Sequence, residues 1–119
     1  MNKISPKVQN QLAMLQQIQQ QIQTVINQKA QYEVSVKEAK RAQEELKSIP
    51  DDAEIFVNVG SVMMQKQKEN VVTSLDEKVE TLELRIKSLE KQEKALQSKF
   101  EQLQAQIKGA LEGQSAAPT

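Results

Sequence analysis

Between residues 15 and 46 apolar side chains recur every three or four positions, as a helix with one buried stripe requires. With Leu15, Ile22, Lys29, Val36 and Gln43 at position a of a heptad, Ile18, Val25, Tyr32, Ala39 and Leu46 fall at d. Ile4 and Val8 extend the stripe toward the N-terminus, and Gln11 interrupts it. Pro6 suits the first turn of a helix, where its missing N–H has no partner to lose. The stripe stops at "KSIPDD", because Pro50 disfavours helical geometry at Ile49 and Asp51 and Asp52 favour a turn. The pattern predicts a first helix over residues 6–48.

A stronger heptad follows further along. Leu75, Leu82, Leu89, Leu96 and Leu103 hold d, while Val72, Val79, Ile86, Glu93, Phe100 and Ile107 hold a. Leucine at strict seven-residue spacing is the mark of a coiled-coil seam. Gly109 and Gly113 weaken helix, so a second helix is predicted over 68–111 and a disordered tail, "EGQSAAPT", over 112–119. Each helix would be roughly 60–65 Å long at 1.5 Å per residue. Their equal length and short connection point to an antiparallel fold-back within a single domain spanning 1–119. In such a pair a positions layer against d positions, and both registers that allow this bring Lys29 and Glu93 within about one turn of each other.

The connection is of another kind. "IFVNVGSVMMQ", residues 55–65, has no charge in a chain that is 27% charged. Ile55, Val57 and Val59 alternate with Phe56 and Asn58, which is strand periodicity, and Gly60-Ser61 is a two-residue turn of the type that begins with glycine. The hairpin, placed over 53–66, pairs Val59 with Val62, Val57 with Met64, Asn58 with Met63 and Phe56 with Gln65. Two strands alone are marginal in water, and two open edges with no charged residue across the hairpin's core to guard them invite pairing with other chains. Ile55, Phe56, Val57, Val59, Val62, Met63 and Met64 are therefore expected to form an oligomerisation element that neighbouring hairpins complete, a closed barrel being one way to do so.

Composition narrows the function. The 119 residues include 16 basic and 16 acidic side chains, three aromatics, no Trp, no His and no Cys. A balanced charge gives nothing to draw the chain to nucleic acid or an anionic membrane, and no apolar run resembles a membrane span or a secretory leader. Without His or Cys there is no ordinary nucleophile–base pair and no soft metal site, so neither catalysis nor a cofactor is expected. Absence of Cys fits a reducing compartment, and a soluble cytoplasmic protein is expected.

Charge is unevenly spread. From Ile4 to Gln28 the only charged residue is Lys7, and glutamines fill the surface. Apolar residues there exceed what a seam needs: Leu12, Ile26 and Leu111 fall at e and Met14 at g, flanking Val8, Leu15, Ile18, Leu103 and Ile107. A wide, uncharged, methionine- and leucine-bearing stripe near helix ends makes an adhesive surface of low specificity. Ordinary packing across the seam would also account for Leu12 and Ile26. Val34 and Leu84, at f, lie opposite the seam.

The segment "PDDAEIFVNVGSV" between the two heptad stretches, and "TLELRIKSLEKQE" within the second, resemble the β-type, archaeal-like subunit of prefoldin over nearly the whole chain. One hairpin instead of two points to the β type over the α type; "FVNVG" departs from the pattern where a more polar or basic residue near Asn58 would be expected. The resemblance implies a mostly α fold: an antiparallel two-helix coiled coil with a central β-hairpin that oligomerises into a β-barrel. It further implies an α2β4 hexamer with α-type subunits and other copies of the chain. Such an assembly would be an ATP-independent chaperone that captures unfolded polypeptides at coiled-coil tips and passes them to a group II chaperonin. On this reading Val8, Leu12, Met14, Leu15, Ile18, Leu103, Ile107 and Leu111 form the client-binding tip. A coiled-coil scaffold that tethers a few specific partners is the alternative from another class.

Overall fold

The heptad positions are the ones withdrawn from solvent. In a computed structural model describing residues 4–116, with side chains as far as Glu112, the buried apolar residues are Val8, Val25, Val36, Ala39, Leu46, Leu82, Leu89, Leu103 and Ile107. Every one of them falls at a or d. The elements run in the order α1 (Pro6–Lys47), β1 (Ile55–Val59), β2 (Val62–Lys66) and α2 (Lys68–Ala116). The chain divides into two compact units, one joining the segment up to Lys29 with the segment from Ser88, the other comprising Ala30–Lys87.

In the first unit α1 begins on a cap. Ser5 accepts the Val8 backbone N–H on its hydroxyl at 3.2 Å, satisfying one of the four amides a helix start leaves unpaired, and Pro6 takes the next position. The core is a thin seam in which Val8, Leu103 and Ile107 cluster, with Leu15, Ile18 and Ala110 packed against them. Across the same seam Lys29 Nζ donates to Glu93 Oε1 at 3.1 Å, so the two charged a residues do meet.

The predicted end of the second helix needs correction. α2 continues past 111, through Gly113, to Ala116. A glycine inside a helix costs only about 1 kcal/mol against alanine, and Ala116 is a good helix former. The predicted tail over 112–119 is thus helical as far as 116, and 117–119 lie outside the described residues.

In the second unit α1 ends by tightening. Ser48 and Ile49 donate to the carbonyls of Glu45 and Leu46 at 3.3 and 3.2 Å, the i to i−3 pattern of a closing turn, just ahead of Pro50. The turn is then tied to the start of α2: Lys68 Nζ donates to the Ile49 carbonyl at 2.7 Å and to Asp51 Oδ1 at 3.1 Å. Further along, Lys40 pairs with Glu83 at 3.2 Å, and the Arg85 guanidinium lies 5.8 Å from the centre of the Tyr32 ring.

The hairpin pairs in the register read from its alternation: Phe56 with Gln65, Val57 with Met64, Asn58 with Met63, Val59 with Val62. Gly60 has φ +62°, and no other residue of the pair has positive φ, which makes the Gly60-Ser61 turn type II′. A side chain at Gly60 would meet nothing within 4 Å, so glycine is required there by the backbone conformation and not by crowding.

Candidate functional site

Two surfaces answer to the predicted residues. The first is the hairpin. Opposed residues share a face, so Ile55, Val57, Val59, Val62 and Met64 lie on one side and Phe56, Asn58, Met63 and Gln65 on the other. Ile55 and Val57 are half-buried, but Phe56, Val59, Val62, Met63 and Met64 are all exposed, Met63 most at 65%. The sheet has two strands only, leaving both outer edges without a ladder partner among the described residues. Five large apolar side chains in the open on an edge-exposed sheet are the signature of a surface that another chain covers.

The second lies in the unit formed by the chain's two ends. Here the eight predicted tip residues separate by role. Val8, Leu103 and Ile107 are buried, Leu15 and Ile18 are half-buried against them, and these five hold the seam. Leu12, Met14 and Leu111 remain open to solvent at 36, 53 and 41%. Ala110, absent from the predicted set, packs on the same cluster. The apolar surface on offer is therefore narrower than the heptad reading suggested, and its outward members are the e and g residues.

Gln11 sits in this seam as the heptad indicated, and its Oε1 is buried without a hydrogen-bond partner among the described residues. An unsatisfied buried acceptor weakens the packing around it by about 1–3 kcal/mol. Among the described residues no group of three or more His, Cys, Asp or Glu is placed to hold a metal ion, and no helix is long and apolar enough to cross a membrane.

Antiparallel helix pairing with a sticky two-stranded hairpin in the connection defines a class of coiled-coil subunit made for assembly. Comparison with known proteins narrows the class. A family model described as prefoldin subunit matches residues 9–114. The prefoldin subunit beta of Methanoculleus marisnigri is 67% identical over 118 residues, covering 99% of this chain and 98% of that one. That of Methanospirillum hungatei is 58% identical over 114 residues, covering 96% and 95%. Among solved structures, the crystal structure of the prefoldin beta subunit from Thermococcus strain KS-1 superposes with a TM-score of 0.82 at 40% identity, covering all of both chains.

The chain belongs to the prefoldin subunit family, on the side of its β subunits. Prefoldin is a non-enzymatic chaperone family whose subunits form hetero-oligomeric complexes, and the hairpin is the element that enters a barrel on oligomerisation.

Proposed function

We propose that this chain is one subunit of an ATP-independent chaperone that captures unfolded polypeptides on the apolar surface of its terminal unit and passes them to a group II chaperonin. The partners in this reading are α-type subunits and further copies of the chain, joined through the hairpins as an α2β4 hexamer working in the cytoplasm. One observation supports it above the rest: Leu12, Met14 and Leu111 are exposed on a unit whose stretch from Ile4 to Gln28 has a single charge, Lys7. Apolar groups without flanking charges adhere to any exposed apolar segment and select weakly among them, which suits a holder of many clients.

One such surface holds little. Each apolar side chain it covers contributes about 1.5–3 kcal/mol at most, and association entropy removes much of that. Several copies joined through their hairpins raise the effective concentration of every contact after the first, so avidity builds from weak sites. Release then requires only an acceptor that binds the client more tightly, with no nucleotide.

The test is an aggregation assay without ATP, using a chemically unfolded, unrelated protein as client. Suppression by the chain mixed with an α-type subunit, followed by transfer of the client to a group II chaperonin, is the expected result. Lack of suppression across unrelated clients would contradict it and favour a tether with specific partners.

A further inference from the structure

We propose that the terminal unit has a second contact for unfolded chains: a short groove beside the seam that takes an extended peptide stretch with an apolar residue next to an acidic one. The groove rests on the chaperone reading above and specifies what one of its binding sites recognises. It is lined by Val25 and Leu96, both d residues and the least exposed of the set, by Gln17 and Gln21 on α1 and Gln92 on α2, and by Lys99. None of these residues belongs to the predicted tip.

Three features of the groove point to that occupant. Its length comes first: Gln17 to Thr24 and Gln92 to Lys99 each span two helical turns, about 10 Å, which is the length of roughly three extended residues. The second is the chemistry of the lining. A glutamine carboxamide both donates and accepts, matching the alternating C=O and N–H of an extended backbone, and it is indifferent to the side chains that backbone bears. The carboxamides of Gln17, Gln21 and Gln92 take part in none of the side-chain hydrogen bonds among the described residues, whereas those of Gln23 and Gln97 are engaged with Asn27 and Glu93. They are available to a ligand.

Charge supplies the third. Lys99 is the one charged residue of the lining, and no carboxylate accompanies it. The unit as a whole agrees in sign, with Lys7, Lys29, Lys91, Lys94, Lys99 and Lys108 against Glu90, Glu93, Glu101 and Glu112 over residues 4–29 and 88–112. An acidic residue beside the apolar one is thereby favoured over a basic one. As an exposed ion pair it shifts affinity by about two- to fivefold, an advantage that salt screens.

Capped six-residue peptides with a photoreactive leucine next to Glu, Gln or Lys test this on the full chain assembled with an α-type subunit. Affinity is read by fluorescence anisotropy and the site by mass spectrometry of the cross-links. The expected result is cross-linking to residues 17–25 and 92–99, with affinity falling in the order Glu, Gln, Lys. Lys99→Glu should invert that order. Replacing Gln17, Gln21 and Gln92 together by Ala should weaken all three peptides alike and leave the assembly intact. Cross-links confined to Leu12, Met14 and Leu111 would overturn the groove while leaving client capture standing. No cross-link anywhere, together with no suppression of client aggregation, would overturn both.

Discussion

Lys29 Nζ and Glu93 Oε1 lie 3.1 Å apart across the helix seam, the two charged residues at a positions of the heptads and the two ends of one ion pair. Their side chains are only 24% and 19% exposed, so each has lost much of its water and the opposite charge offsets part of that loss. Any shift in register would separate them, and a half-buried charge left alone is far worse than the pair is good. Lys29→Leu or Glu93→Leu alone should lower stability by about 1–3 kcal/mol, less than for a fully buried pair. The double replacement should restore or exceed the original stability. Urea denaturation followed by circular dichroism, on the singles and the double, reads this directly; equal losses adding up in the double would show that the two do not act as a pair.

Gln11 makes the complementary case, a polar residue in the seam without a partner. Gln11→Leu removes an unsatisfied acceptor and adds apolar contact beside the cluster of Val8, Leu103 and Ile107. It should raise stability by about 1 kcal/mol. Amide hydrogen exchange offers the local readout: protection of residues 8–15 and 103–110 should increase. Unchanged or reduced protection would mean that the Gln11 carboxamide is satisfied by water and that its place in the seam is not strained.

Much of this was legible from periodicity alone. Leucine and valine at seven-residue spacing, from Val8 to Ile107, marked the side chains that are buried, because a two-helix seam has no other way to exclude water. The hairpin register was readable too, since Gly60 takes φ +62° without steric cost and alternation on either side of it settles which residues oppose. Other features depend on three-dimensional contacts that no pattern announces. Lys68 reaching the Ile49 carbonyl and Asp51 joins positions 17 to 19 residues apart, and in the sequence that lysine looks like any other. The Ser5 cap has a signal in the sequence, a serine just before a proline that opens a helix. The extension of α2 to Ala116 is hard to read because Gly109 and Gly113 look like a stop in the sequence, yet each only weakens the helix. For the proposed tip, heptad letters alone group seam residues such as Val8, Leu103 and Ile107 with the outward Leu12, Met14 and Leu111.

That separation makes a sharp prediction. Leu12→Ser, Met14→Ser and Leu111→Ser, combined, replace exposed side chains and should change stability little while weakening suppression of client aggregation several-fold. Ile107→Ser strikes the buried cluster and should cost about 2–4 kcal/mol, loosening the terminal unit itself. Aggregation assays paired with thermal melts distinguish the two effects. Full suppression by the triple variant would remove Leu12, Met14 and Leu111 from client binding.

The hairpin holds the central claim: an apolar, edge-exposed sheet fragment that other copies complete. Val59 is half exposed in the lone chain, opposite Val62 and next to the turn. Val59→Asp leaves that side chain in water while the chain is alone but would bury a charge on an assembled sheet face, a penalty of several kcal/mol for each copy. The deciding measurement is native mass spectrometry of the chain mixed with an α-type subunit, with and without Val59→Asp. A hexamer for the parent chain and dissociated subunits for the variant, both with unchanged helical content, is the predicted result. A hexamer that persists undiminished in the variant would contradict assembly through the hairpin.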